Sequence, residues 1–205
     1  FYERLVTFAR EHNIIVLHDN AYSDLMLNGK QGLSFLSIPG AKEVGIEFNS
    51  LSKTYNLTGM RVSFALGNRE VIERFRAFRS QIDYGMFYPI QAGAVAALTG
   101  PQDIVCRNRE GYMARRDALC GGLRSIGWDV PDAQGTMFVW AKIPARFASS
   151  VDFVLELMEK TGVICVPGSS FGAHGEGYVR FALVVPPERM EEAVRRIDES
   201  GILRG

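Results

Sequence analysis

Two short runs, IIVLH at 14–18 and EVGIEFN at 43–49, constrain the fold most strongly. Each has the length of a strand and is apolar on both faces, which is typical of strands buried inside a sheet. A stretch with helical spacing of apolar residues, 1–13, precedes the first run. The alternation predicts an α/β fold with a mostly parallel sheet, in which ligand sites lie beyond the carboxyl ends of the strands.

Further elements follow along the chain. RVSFALG at 61–67 predicts a third strand, and the pattern of 68–80 predicts a helix that Asn68 caps. The apolar residues of that helix should form a buried stripe: Val71, Ile72, Phe75 and Phe78. Another helix is expected from 89 to 100, and a long one from 101 to 127.

The pattern changes along the long helix. From Trp128 onward, a strand, a helix, two strands and a final helix predict a small α+β domain. We therefore expect three parts: a portion of a large domain at 1–110, an interdomain helix at 111–126 and a small carboxyl-terminal domain at 127–205.

The charge balance limits the partners. Lys plus Arg and Asp plus Glu each number 23, so no net charge attracts nucleic acid or an anionic membrane. The apolar runs are much shorter than the roughly 20 residues of a membrane span. No secretory signal is recognisable either. We expect a soluble, cytoplasmic protein without a nucleic-acid or membrane partner.

The cysteines and histidines predict neither disulfides nor metal. Three cysteines form no CxxC pair, so we expect reduced thiols in the core: Cys106, Cys120 and Cys165. The histidines at 12, 18 and 174 are scattered, which predicts no metal site.

Polar side chains gather where the predicted strands end. They are Asp19, Tyr22, Ser50, Ser52, Lys53 and Arg61. Together they supply a carboxylate, a phenol, hydroxyls, an amine and a guanidinium. Pyridoxal phosphate requires this set, because its phosphate binds Arg and hydroxyl donors, its ring nitrogen a carboxylate, its 3-oxygen a phenol and its aldehyde a lysine. The sequence therefore predicts a pyridoxal phosphate site.

Two segments carry a family resemblance. HDNAYSDL at 18–25 and NSLSKTYNLTGMRVSFALG at 49–67 resemble the class I and II aminotransferases of pyridoxal phosphate fold type I, and the resemblance covers essentially the whole chain. It implies that Lys53 bonds covalently to the cofactor and that Asp19 pairs with the pyridine nitrogen. Tyr22 would bond the 3-oxygen.

The same resemblance assigns the anionic groups. Ser50 and Arg61, with Ser52 assisting, would hold the cofactor phosphate. GYVRFAL at 177–183 matches the family's strand whose arginine binds the substrate carboxylate, which would be Arg180. The family gives His18 no chemical role, so we expect it to be a core or supporting residue.

Some features depart from the family pattern. Asn20 stands where Glu is common and Ser63 where Gly is common, and neither should alter the core chemistry. The family's phosphate loop, ring-stacking aromatic residue and 3-oxygen asparagine have no counterpart in this chain. We therefore expect the carboxyl-terminal half to two-thirds of an enzyme, inactive by itself.

The resemblance implies transfer of an amino group between an α-amino acid and a 2-oxo acid, by a homodimer. In it, DYGMFYP at 83–89 is either core or close to the cofactor of the neighbouring subunit. Two alternatives stay open. A carbon–sulfur lyase uses the same fold and lysine, and ligand-sensing domains of bacterial transcription regulators share the fold.

Overall fold

The computed structural model describes residues 1–204, and the chain divides between Asn108 and Arg109 into two units, each with its own sheet. In the first unit the strands are β1 Val16–Asp19, β2 Gly45–Ser50 and β3 Ser63–Gly67. Its helices are α1 Tyr2–Glu11, α2 Ala41–Val44, α3 Leu51–Thr54, α4 Arg69–Arg79 and α5 Tyr88–Thr99. β3 lies within its predicted run, and β1 and β2 each extend one residue beyond theirs.

The sheet of the first unit has the order β1-β2-β3. β1 and β2 are parallel, with Asp19 beside Phe48, whereas β3 is antiparallel to β2, with Ser63 beside Ser50. The segment 51–62 between β2 and β3 reverses the chain through α3 and a 3₁₀ turn at Thr58–Met60.

One face of this sheet is covered by α1 and the segment around Phe35. Apolar side chains of this segment, α1 and α2 form a small core: Val6, Ala9, Phe35, Ala41 and Val44. On α4, Asn68 caps the helix as predicted, since its side chain accepts a hydrogen bond from the Val71 N–H.

The predicted buried stripe of α4 is wrong, since none of its four residues is buried. Phe75 contacts Phe48 edge to face, yet it is 39% exposed, and Phe78 is 67% exposed. Val71 and Ile72 are half-buried. An amphipathic pattern identifies the apolar face, but burial requires an element that covers it, which the pattern does not contain.

The long helix α6, Asp103–Ser125, leads into the second unit. Its remaining elements are β4 Phe138–Lys142, α7 Ser150–Thr161, β5 Val166–Pro167, β6 Tyr178–Ala182 and α8 Pro187–Ser200. The sheet is antiparallel with the order β4-β6-β5. The α+β character expected for this part is therefore observed.

One face of the second sheet is buried. Its side chains pack with the helices into the larger core of the chain, which includes Leu123, Val139, Phe153, Leu157, Val179, Phe181 and Ile197. Trp128 lies edge to face against Phe153 and Phe181, and its indole N–H donates to the Lys142 carbonyl at 2.7 Å. This bond satisfies a polar group that burial would otherwise leave unpaired.

The cysteine prediction holds for two of the three thiols. Cys120 and Cys165 are buried, but Cys106 is exposed on α6. A lone cysteine on a helix carries no pattern that separates a core position from a surface one. None of the helices within residues 1–204 is both long and apolar enough to cross a membrane.

Candidate functional site

Strand direction brings the predicted cofactor residues of the first unit to one edge of its sheet. Asp19 ends β1 and Ser50 ends β2, and because these strands are parallel, both ends lie at the same edge. β3 runs the other way, so its first residue, Ser63, pairs with Ser50. Arg61 lies two residues before Ser63 and therefore reaches this edge as well.

The turn that carries Lys53 is fixed by hydrogen bonds on both sides. Ser50 caps α3, since its hydroxyl accepts from the Ser52 N–H at 3.2 Å. The Thr58 hydroxyl donates to the Ser52 carbonyl at 3.2 Å, and the Thr54 hydroxyl donates to Asp24 at 2.8 Å. These short polar side chains favour a capped turn over a longer helix. The hydroxyls around Lys53 thus stabilise the turn, a structural role that the sequence pattern did not reveal.

The Lys53 amine lies over the Tyr22 ring, with Nζ 5.6 Å from the ring centroid. This distance is within the range of a cation–π contact. Lys53 and Tyr22 are both half-buried. The amine and the phenol that the sequence assigns to one cofactor therefore lie side by side.

Arg61 has a left-handed backbone, with φ at 53°. A residue with a Cβ pays roughly 1 kcal/mol for this conformation, which is uncommon outside tight turns. Its guanidinium donates to the Thr58 carbonyl at 3.0 Å and remains exposed. The side chain is tethered at the sheet edge with its other donors open to an anion.

Asp19 is exposed, and within the described residues its carboxylate makes no hydrogen bond or ion pair. Its neighbours are held firmly. The His18 ring and the Asn20 amide both contact the Glu47 carboxylate, His18 Nδ1 at 3.0 Å from Oε2 and Asn20 Nδ2 at 2.9 Å from Oε1. Glu47 also accepts from the Ser34 hydroxyl at 2.7 Å.

Glu47 is the residue that sequence reasoning missed. It is buried in β2, the central strand. Burial raises the pKa of its carboxyl group, but hydrogen bonds from Asn20, Ser34 and His18 lower it, and the net shift is downward. A carboxylate inside an apolar strand run must have partners, and that signal was available in EVGIEFN.

The proton on His18 follows from this cluster. An ionised carboxylate only accepts, so Nδ1 donates to Glu47. The same atom cannot also accept from the Phe35 N–H, which lies farther away at 3.4 Å. In neutral imidazole Nε2 then accepts from the Tyr2 hydroxyl at 3.1 Å. His18 is a supporting residue, as the sequence predicted.

Arg180 lies in the second unit, on the sheet face opposite the core. Its guanidinium carbon is 4.2 Å from the centroid of the Phe138 ring and 4.5 Å from that of Phe171. Its Nε is buried and has no hydrogen-bond partner within the described residues. Aromatic stacking holds the plane of the guanidinium while leaving its donors for a carboxylate, which suits the predicted role.

The donor set of the first unit fits pyridoxal phosphate. Lys53 supplies an amine, Asp19 a carboxylate without a partner among residues 1–204, Tyr22 a phenol and Arg61 a guanidinium with open donors. Ser50 and Ser52 add hydroxyls at the same edge.

Comparison with known proteins gives the family. The model of the family described as aminotransferase class I and II matches residues 1–197. The chain belongs to this family. Its enzymes depend on pyridoxal phosphate, so the predicted cofactor is confirmed as that of the family.

Several curated relatives of this aminotransferase chain bear one name. The proteins from Halothermothrix orenii and Gloeobacter violaceus, both named LL-diaminopimelate aminotransferase, are 47% and 46% identical over 202 residues. In each case 98% of this chain matches 52% of the relative. The chain therefore spans about half the length of the curated relatives it matches.

Solved structures share the fold. Substrate-bound BacF from Bacillus subtilis is 36% identical, with a TM-score of 0.93. The match covers 97% of this chain and 51% of the BacF chain. A probable N-succinyldiaminopimelate aminotransferase from Thermus thermophilus is also 36% identical, with a TM-score of 0.88, over 97% of this chain and 53% of its own. The predicted α/β fold of a fold type I aminotransferase is thus confirmed.

Proposed function

We propose that the full-length protein containing this chain is a pyridoxal phosphate-dependent aminotransferase that moves an amino group between an α-amino acid and a 2-oxo acid. The observation that carries the proposal is the Lys53 amine beside the Tyr22 ring, at the edge where β1 ends in Asp19. Family membership supports it independently.

Each predicted site residue of the first unit has a defined role in this proposal. Bound pyridoxal phosphate supplies an electron sink for the substrate Cα. Asp19 holds a proton on the ring nitrogen, and Tyr22 donates a hydrogen bond to the 3-oxygen. Lys53 would hold the cofactor at its aldehyde, and its free amine would take the proton from the substrate Cα.

The anion-binding groups complete the assignment. Ser50, Ser52 and Arg61 bind the cofactor phosphate, with Arg61 contributing the charge. In the second unit, Arg180 binds the substrate carboxylate through the two parallel N–H groups of its guanidinium. Phe138 and Phe171 set the plane of the Arg180 guanidinium before any substrate arrives, which lowers the entropy cost of binding.

We further propose LL-diaminopimelate as an amino donor. The name of the relatives at 46% to 47% identity supports this choice. Solved structures with lower identity carry other names, such as an aromatic aminotransferase from Pyrococcus horikoshii at 29% identity. The substrate class therefore rests on the curated relatives and requires a direct assay.

A cytoplasmic homodimer is part of the proposal. Large apolar side chains at 82–88 are exposed: Ile82, Tyr84, Phe87 and Tyr88. A cluster of this kind is typical of a surface that another molecule covers. The division at 1–110, 111–126 and 127–205 likewise stays a proposal about the domains of the longer protein.

The experiment is an amino-transfer assay of the full-length protein. LL-diaminopimelate and other α-amino acids are offered with a panel of 2-oxo acids, and the new amino acid is measured. Lys53→Ala is the control for background transfer. Transfer from LL-diaminopimelate supports the proposal, and absence of transfer from every amino acid tested contradicts it. Release of pyruvate and ammonia from a β-substituted amino acid, without transfer, would identify a carbon–sulfur lyase.

A further inference from the structure

A single buried carboxylate holds both neighbours of Asp19. Glu47 Oε2 contacts His18 Nδ1 at 3.0 Å, and Oε1 accepts from Asn20 Nδ2 at 2.9 Å. His18 and Asn20 immediately precede and follow Asp19 in the chain. The carboxylate therefore spans the residue that the proposed function places at the ring nitrogen.

We propose that Glu47 is a positioning residue for Asp19, and that it sets the direction of the Asp19 carboxylate through the side chains on either side of it. The proposal rests on the proposed function of Asp19.

The Asp19 side chain cannot position itself. Within residues 1–204 it makes no hydrogen bond or ion pair, so only its backbone and rotamer determine where it points. Successive side chains of a strand point to opposite faces. His18 and Asn20 thus point away from Asp19, and Glu47, which lies beside His18 in the strand register, anchors them on that opposite face.

The anchor is itself rigid. Glu47 lies in the central strand, is 8% exposed and accepts a third hydrogen bond from Ser34 at 2.7 Å. The Asn20 N–H also donates to the Phe48 carbonyl at 2.8 Å, which extends the β1–β2 ladder past Asp19. The lowered pKa of Glu47 keeps it ionised and accepting at neutral pH.

A purely structural role explains the cluster less well. Burying a carboxylate costs desolvation energy, and an apolar residue of similar size at such a site is often neutral or stabilising. A leucine at position 47 would fill the space without holding His18 or Asn20.

Glu47→Leu in the full-length protein tests the proposal. We expect the variant to fold. Its dissociation constant for pyridoxal phosphate, measured by equilibrium dialysis, should rise about ten-fold, and its kcat should fall about ten-fold. Losses of this size are at the lower end of those seen when a residue that orients a ligand is removed. The backbone N–H of Asn20 should exchange with deuterium faster than in the unmodified protein. The matched control is Glu43→Leu, the same substitution at an exposed carboxylate that pairs with Arg10 and contacts neither Glu47 nor Asp19, and it should change either constant less than about two-fold.

Asp19→Ala and the double variant Asp19→Ala/Glu47→Leu identify the route. If Glu47 acts through Asp19, the double variant is no worse than Asp19→Ala alone, because the effects of residues acting as a unit do not add. Losses that multiply overturn the proposal, as does a folded Glu47→Leu protein with unchanged constants. If Glu47→Leu does not fold, Asn20→Ala replaces it in the comparison with Asp19→Ala and with the corresponding double variant. An Asp19→Ala protein with normal constants would remove the assignment of Asp19 itself, and the positioning proposal with it, while leaving amino transfer to the separate assay.

Discussion

The Nζ atom of Lys53 and the aromatic ring of Tyr22 lie 5.6 Å apart, although the two residues are separated by 31 positions and belong to connections after different strands. The parallel pairing of β1 and β2 produces this proximity, because it places both connections at one sheet edge.

Replacement of Lys53 by alanine should abolish amino transfer and covalent attachment of the cofactor in the full-length protein. Pyridoxal phosphate would bind noncovalently, so borohydride treatment would leave no cofactor on the protein, as measured by mass spectrometry of the intact chain. Lys42→Ala, which removes an exposed lysine elsewhere in the first unit, is the control. Cofactor fixed to the Lys53→Ala protein would assign the covalent bond to another residue.

Asp19→Ala should lower kcat by about 100-fold or more, the effect of removing one preorganised electrostatic partner from a reacting group. The melting temperature of the apoprotein should not change, because the Asp19 side chain is exposed and unpaired within residues 1–204. Glu11→Gln, a change at an exposed carboxylate in the same unit, serves as the control. Turnover close to that of the unmodified protein would exclude Asp19 as the ring-nitrogen partner.

The sequence predicted the positions of the strands better than their directions. β1, β2 and β3 extend at most one residue beyond the predicted apolar runs. The expected burial on both faces is wrong for the outer strand β1, whose Leu17 is 65% exposed, and Leu66 of the other outer strand, β3, is 55% exposed as well. The reversal of β3 depends on the compact path of 51–62, which is built from hydroxyl-to-backbone bonds such as Thr58 to Ser52. Hydrogen bonds of that kind depend on the folded path of the chain, and residue spacing does not specify them.

The candidate site shows the same division. Motif spacing predicted which residues gather at the sheet edge, since strand ends of a parallel pair must coincide. It did not predict the partners of Glu47 or the aromatic contacts of Arg180, because both join residues that are distant in the sequence. The exposure of Phe78 was also beyond the pattern, since it depends on what covers α4.

Alkylation should distinguish the three cysteines. Cys106 is exposed, whereas burial raises the pKa of Cys120 and raises that of Cys165 to about 12. Only the thiolate reacts, so iodoacetamide at pH 8 should label Cys106 in the folded protein and all three residues after denaturation. Peptide mass spectrometry measures the label. Early modification of Cys165 without denaturant would show that its surroundings open in solution.

Arg180→Leu should weaken binding of every α-amino acid substrate by a similar factor, whatever its side chain. Truncating one partner of a paired arginine and carboxylate costs about 2 kcal/mol or more, which corresponds to a rise of at least about 30-fold in KM where KM reports binding. Steady-state kinetics with several amino acids measures it. Arg189→Leu, at an exposed arginine of the second unit, is the control. A loss confined to one class of side chain would make Arg180 a specificity residue instead.

Acid should remove the stabilising contribution of Glu47. Burial opposes ionisation, but the hydrogen bonds from Asn20, Ser34 and His18 bring the pKa in the folded state below the ordinary value of 4.5. The unfolded chain therefore binds this proton more readily than the folded one. Stability from the carboxylate is complete above about pH 4.5 and declines as the pH falls through the lower pKa of the folded state.

Urea unfolding of the full-length protein from pH 7 to pH 3, compared with Glu47→Gln, measures this loss of stability. Because glutamine does not titrate, the unfolding free energies should differ by a constant amount above pH 5 and change relative to each other only in acid, with the unmodified protein losing more. A difference that stayed constant down to pH 3 would contradict the downward shift and would show that the buried carboxylate is not held by its three donors in the ionised form.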